Sequence, residues 1–180
     1  ILGHGSGSFG HASAAKYQTH EGGESPEYWQ GFSKVWQSAR KLNDIIIEEF
    51  SKAGLPVIAF PPSAGVIAHD RSVARWDIEP LRLTLSHGLI PVVMGDVVFD
   101  TVLGGTILST EQIFQFLAPK FRPHQILLAG SDAGVYLDPD QSNEIIPHIT
   151  PSNFSAILPY LSGSSAADVT GGMLSKVQLM

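Results

Sequence analysis

The sequence predicts an α/β fold built on a mainly parallel sheet covered on both faces, and three observations carry that prediction. Short apolar runs at 56–60, 89–94 and 125–129 alternate with stretches of helical periodicity. The runs are unbroken, as in strands buried on both faces, rather than alternating. Glycines follow them, with Gly5, Gly7 and Gly10 after the opening residues, Gly95 after Met94 and Gly130 after Ala129. In parallel sheets ligands bind beyond the carboxyl ends of the strands, where these glycines fall.

The elements follow in chain order. The opening residues read as the end of a strand, running through a glycine loop into a helix. Over 27–52, Phe32, Val35, Trp36, Ala39, Leu42, Ile46, Ile47 and Phe50 recur at steps of three and four and form one helical stripe. Gly54 stands at the C-cap, residues 56–60 form a strand, and Pro61-Pro62 ends it. Residues 77–87 form a helix capped by Asp77, with Pro80 in its first turn and Gly88 after it. A strand over 89–94 leads into 95–108, a loop or hairpin marked by Gly95-Asp96 and Gly104-Gly105. Ser109 or Thr110 caps a helix over 111–117, and 125–129 is a third apolar strand. Asp138-Pro139-Asp140 marks a turn, Thr150 caps a helix over 151–161, and Gly171-Gly172 opens the last helical segment.

Composition narrows the function. A chain of 180 residues, 43% of them hydrophobic, can bury one sizeable core. Eleven basic residues against seventeen acidic give a net charge of −6 with no Lys/Arg block, which speaks against nucleic acid as a partner. No apolar run reaches the roughly 20 residues of a membrane span, so no membrane partner is expected. The absence of cysteine excludes disulfides and thiolate chemistry and fits a reducing, cytoplasmic setting. The chain opens at Ile1 and stops at Met180 on a helical pattern. The expectation is therefore one domain over 1–180 that lacks an N-terminal segment and a C-terminal end.

Two glycine turns carry the chemistry. In His4-Gly5-Ser6-Gly7-Ser8-Phe9-Gly10-His11, residues without Cβ let successive backbone N–H groups close around an anion at a helix start, and phosphate is the natural guest. The same string contains the Gly-x-Gly-x-x-Gly dinucleotide pattern. That reading needs a second strand ending in an acidic residue about twenty positions on, and polar 18–25 followed by a long helix does not supply it. His11, just inside the helix, can donate to a phosphate oxygen. His4, His11 and His20 lack metal-ligand spacing, and packing accounts for His4 and His20. Asp168-Val169-Thr170-Gly171-Gly172-Met173-Leu174-Ser175-Lys176 is a second glycine turn into a helix, with Lys176 as a point charge for a polyphosphate. Two such sites in one domain suggest phosphoryl transfer without a P-loop or protein-kinase motif.

These motifs resemble the isopentenyl phosphate kinases of the amino acid kinase superfamily. The likeness runs from the His4–His11 string through Met94-Gly95-Asp96-Val97-Val98-Phe99-Asp100, Ile107-Leu108-Ser109 and Ala133-Gly134-Val135-Tyr136 to the Asp168–Lys176 string. It implies a three-layer αβα sandwich, a homodimer, and ATP- and Mg2+-dependent phosphorylation of isopentenyl phosphate to isopentenyl diphosphate. It also implies that His11 holds and polarises the acceptor phosphate, that Ser6 offers its N–H to that phosphate, and that Gly7 approaches the ATP phosphates. Gly172 and Lys176 match the nucleotide-side turn and phosphate lysine, and Asp132 falls within a residue of an acidic nucleotide-side position. Phe32 and Trp36 of the long helix are candidates to line a pocket for the prenyl tail. Three features differ from the family pattern. The strand, glycine pair and lysines with which members begin do not precede Ile1 here. Ser109-Thr110-Glu111 stands where many members have Ser-Gly-Asp, so Thr110 meets substrate through its N–H in place of a glycine. Ser131-Asp132-Ala133-Gly134 stands where many have Asp-x-Asp-Gly. The alternatives are a family member acting on a carboxylate, carbamate, nucleotide or phosphonate, or a nucleotide-sensing homologue without turnover. A dinucleotide-dependent oxidoreductase ranks behind them.

Overall fold

Leu2–His4 form strand β1, followed by helix α1 (Gly7–Tyr17), helix α2 (Pro26–Lys52) and strand β2 (Val57–Ala59). The computed structural model describes residues 1–130, 134–136, 145–160 and 177, and only the backbone of Ser8, His11, Ala12 and Tyr160. After a 3₁₀ turn (Pro62–Ala64) come strands β3 (Ile67–His69) and β4 (Ser72–Arg75), helix α3 (Glu79–Ser86) and strand β5 (Ile90–Met94). Strands β6 (Asp96–Asp100) and β7 (Gly104–Leu108) and helix α4 (Thr110–Phe121) follow. The chain forms two compact units, Ile1–Leu117 and Ala118–Met180.

In the first unit the predicted parallel sheet has the order β1-β5-β2. Leu2 and Ala59 both lie opposite Val92, so β1 and β5 end level at His4 and Met94, whereas β2 stops two residues earlier, at Ala59. A second, mixed sheet with the order β4-β3-β6-β7 was not foreseen. Its β3 and β4 have three and four residues, too few to show a period. Residues 95–108 resolve as a hairpin, with β6 and β7 antiparallel from Asp96 opposite Leu108 to Asp100 opposite Gly104. Only Gly95 separates β5 from β6, so one run of backbone serves both sheets.

Helix α2 starts where Ser25 Oγ accepts the Tyr28 N–H at 3.1 Å and Pro26 takes the first turn. Its buried residues are Tyr28, Gly31, Val35, Ala39 and Asn43. The predicted stripe is therefore rotated: Val35 and Ala39 belong to it, whereas Phe32 and Trp36 flank it, half-buried. The rotation follows from the close approach of α1, whose Tyr17 side chain lies over Gly31. Ala14, Val35 and Val97 form the core between this helix pair and β6, ringed by Tyr17, Phe32, Trp36 and Ile107. Helix α3 begins at Glu79, whose N–H donates to Asp77 Oδ1 at 3.0 Å.

Other expectations shift. Ser109, not Thr110, caps α4: its Oγ accepts the Gln112 N–H at 3.2 Å while its own N–H donates to Gln112 Oε1 at 2.8 Å, a reciprocal capping box. Residues 125–129, expected as a strand, form no ladder, and Ile126, Leu127 and Leu128 are 38%, 80% and 58% exposed. An apolar run becomes a strand only where a neighbour takes its N–H and C=O groups, and none does so among the described residues. In the second unit the helix expected over 151–161 is a short turn, α5 (Phe154–Ile157), running into a 3₁₀ turn (Leu158–Tyr160). Asn153 rather than Thr150 sits at its N-cap, and Pro159 removes a donor. The Asp138-Pro139-Asp140 turn and the helix after Gly171-Gly172 lie outside the described residues. Among the described residues no helix is long and apolar enough to cross a membrane.

The two aspartates of β6 show opposite balances. Asp100 accepts four backbone N–H groups, those of Asp70, Val102 and Leu103 at Oδ1 and of Arg71 at Oδ2. Burial alone would raise its pKa, but these donors outweigh it and hold the carboxyl below its ordinary value. Asp96 is 1% exposed and its pKa is pushed up to about 6, because burial exceeds the help of hydrogen bonds from Ser63 and Val97. A carboxyl raised on folding stabilises most fully below its unfolded value of 3.8 and loses that contribution as pH rises through about 6. Asp96→Asn should therefore abolish a decline on the order of 2 kcal/mol between pH 4 and pH 6.5. Urea denaturation across that range, wild type against variant, measures it; parallel pH profiles would contradict it.

Candidate anion-binding site

Where β1 ends, three successive peptide units are held by their carbonyl oxygens. The His4 carbonyl accepts the Thr110 hydroxyl at 2.7 Å and the Gly95 N–H at 3.2 Å. The Gly5 carbonyl lies 3.0 Å from His4 Nδ1. The Ser6 carbonyl accepts the Gly10 N–H at 3.2 Å, in the first turn of α1. A trans peptide points its N–H away from its C=O, so these anchors turn the N–H groups of Gly5, Ser6 and Gly7 the other way. The Gly7 N–H also belongs to the start of an 11-residue helix, whose first N–H groups lack intrahelical partners and whose dipole favours negative charge. The arrangement can receive an anion at the carboxyl end of the parallel sheet.

Two glycines make this path possible for different reasons. Gly7 has φ +48°, in the left-handed region. Gly10, read from sequence as part of the anion loop, has the Ser6 side chain packed directly on its α-carbon, where any Cβ would overlap Ser6 Oγ and Cβ. The Ser6 side chain thus packs against the helix start without capping it through a hydrogen bond.

The structure brings Ser6, Gly7 and Thr110 to this end of the sheet. It gives Thr110 a part its sequence did not suggest, since the hydroxyl anchors the loop. His11 lies four residues beyond Gly7 in α1. Asp132, Gly172 and Lys176 lie outside the described residues, so the second glycine turn has no described geometry.

Phe32 and Trp36 part company. Phe32 stacks on Phe99 at 5.5 Å between ring centroids, and Trp29 lies edge-on to Phe32 at 5.4 Å. Phe99 is 52% exposed, so this group presents apolar surface. Trp36 instead donates from Nε1 to Ser63 Oγ at 3.1 Å and carries the Arg40 guanidinium over its ring. The neighbouring Tyr28 hydroxyl donates to the Thr19 carbonyl, and its pKa is pushed up to about 12, first by burial and then by the Asp100 charge.

Sequence reasoning missed His4 and Asn43, whose side chains meet 3.1 Å apart. The available signal was Asn43, a polar residue four positions after Ala39 in an otherwise apolar helical register. Among the described residues no three His, Asp or Glu side chains group closely enough to hold a metal ion.

Fold and site together define an α/β protein that offers backbone amides to an anion beyond a parallel sheet. The chain belongs to the amino acid kinase family, whose model matches residues 1–180. It is 35% identical, over its whole length and 68% of the other's, to the isopentenyl phosphate kinase of Methanocaldococcus jannaschii. It is 32% identical to that of Arabidopsis thaliana, over 98% of this chain and 58% of the relative. A solved isopentenyl phosphate kinase structure superposes with a TM-score of 0.75 at 27% identity, over 88% of this chain and 68% of that one. The chain thus spans about three fifths to two thirds of the length of these relatives.

Replacing Thr110 by valine keeps its shape and removes the donor to His4. The expected cost is about 1 kcal/mol of stability, with Thr110→Ser close to wild type. Urea midpoints of the two variants decide this, and equal midpoints would show that the hydroxyl does not anchor the loop.

Proposed function

We propose that this protein transfers the γ-phosphoryl group of ATP to isopentenyl phosphate, giving isopentenyl diphosphate and ADP. One observation carries the reading: the outward-turned amides after β1, in a chain whose relatives bear the name isopentenyl phosphate kinase. In the proposed step an acceptor phosphate oxygen attacks the γ-phosphorus, the bond to the β–γ bridging oxygen breaks, and ADP leaves. The attacking oxygen is already anionic, so no strong general base is required. The protein's task is to align two polyanions and neutralise their charge.

Each residue receives a proposed part. The Ser6 N–H holds the acceptor phosphate, with the Thr110 N–H at the start of α4 beside it, and His11 holds and polarises the same group. Gly7 lies against the ATP phosphates, and Asp132, Gly172 and Lys176 serve the nucleotide. Magnesium is proposed to arrive with ATP as the counter-ion of its phosphates. Phe32 is the candidate for contact with the prenyl tail, and the exposed Phe99 ring stacked on it extends the same apolar surface. A single domain over 1–180, a homodimer and a cytoplasmic location complete the proposal. The absence of cysteine and the net charge of −6 fit this setting.

The test is incubation with ATP and magnesium and a panel of isopentenyl, dimethylallyl and longer prenyl phosphates, together with carboxylates and nucleotides. Phosphorus NMR should show a diphosphate from isopentenyl phosphate, and preferred use of a carboxylate would overturn the reading. His11→Ala should lower kcat/KM by about 100-fold or more with an unchanged melting temperature. Near-normal turnover by that variant would remove His11 from its assigned role.

A further inference from the structure

We propose that His4 and Asn43 are positioning residues for the acceptor, which together aim the Ser6 amide at its phosphate. The inference rests on the functional reading above and adds two residues that act through the loop.

Asn43 is 6% exposed and lies on the inward face of α2 with Tyr28, Gly31, Val35 and Ala39. A polar side chain among apolar neighbours is costly unless it is hydrogen-bonded. Its amide, placed with Oδ1 foremost, lies 3.1 Å from His4 Nε2, across 39 residues of sequence. The other ring nitrogen, Nδ1, faces the Gly5 carbonyl at 3.0 Å. A carbonyl can only accept, so the proton of a neutral ring belongs on Nδ1. Nε2 is then an acceptor, and Asn43 must turn the NH2 end of its amide toward it, the amide flip that satisfies all three groups at once.

The consequence reaches the site through one planar peptide. The Gly5 carbonyl and the Ser6 N–H belong to the same trans unit and point in opposite directions. Asn43 fixes the ring, the ring fixes the carbonyl, and the Ser6 N–H is thereby aimed. The Ser6 side chain packs on Gly10, and the Ser6 N–H takes its direction from the peptide it shares with the Gly5 carbonyl.

Two substitutions separate the ring's nitrogens. The amide nitrogen of asparagine reaches the place of Nδ1, and that of glutamine the place of Nε2. His4→Asn should keep the acceptor KM within about threefold of wild type. His4→Gln and Asn43→Leu should raise it about tenfold or more, with the ATP KM unchanged. Equal acceptor KM in His4→Asn and His4→Gln, or an ATP KM that rises in parallel, would overturn the proposal. Nitrogen-15 NMR of the His4 ring should show the Nδ1–H tautomer, and the Nε2–H tautomer would also overturn it. Lack of turnover by the wild type would sink the functional reading alone. Titration with inorganic phosphate then still judges the positioning claim: the Ser6 amide resonance should shift in wild type and His4→Asn but not in His4→Gln. No shift in wild type, or equal shifts in both variants, would refute it.

Discussion

A loop that binds an anion through its backbone must turn its N–H groups outward, and its carbonyls must then be satisfied elsewhere. Here the carbonyls of His4, Gly5 and Ser6 find donors from α4, from the Gly95 junction, from the His4 ring and from the first turn of α1. Much of the first unit is arranged so that those donors stand in place. The register of β1 on β5 puts His4 opposite Met94, so the Gly95 N–H follows within reach of the His4 carbonyl. The Ser109–Gln112 capping box starts α4 at Thr110 and so delivers the hydroxyl.

Gly95 is also where the chain passes from one sheet to the other, and the junction is secured one residue on. Asp96 Oδ2 accepts the Ser63 N–H at 3.1 Å, joining the start of β6 to the turn after β2, and Ser63 Oγ in turn accepts from Trp36 of α2. This carboxylate is buried at a cost that its few donors do not offset. Four residues later Asp100 has enough N–H donors for its charged form to be favoured. The same side chain on the same strand is thus strained toward its neutral form at one end and stabilised as an anion at the other. The heavier desolvation of Asp96 and the larger number of amides facing Asp100 together decide the difference.

The parallel sheet and its helices were legible in the sequence because unbroken apolar runs and a stripe of periodic residues are local signals. So were the helix ends at Gly54 and Gly88, which take φ of +79° and +74°. Strands β3 and β4 were not, being too short to show a period, nor was the fate of 125–129, which depends on a partner and not on composition. The position of Ser6 and Gly7 at a sheet end could be read from a strand, a glycine loop and a helix in succession. The loop's anchors could not. The bond from Asn43 to His4 spans 39 residues and that from Thr110 to His4 spans 106, so each exists only once the fold has formed. His4 looked like a packing residue for that reason.

The most direct measurement is a crystal structure of the protein with isopentenyl phosphate bound. The expected result is a phosphate oxygen about 2.7–3.2 Å from the Ser6 amide nitrogen, with the Gly5 carbonyl still on the His4 ring. A phosphate seated away from β1, with the Ser6 amide bonded to water, would contradict the account.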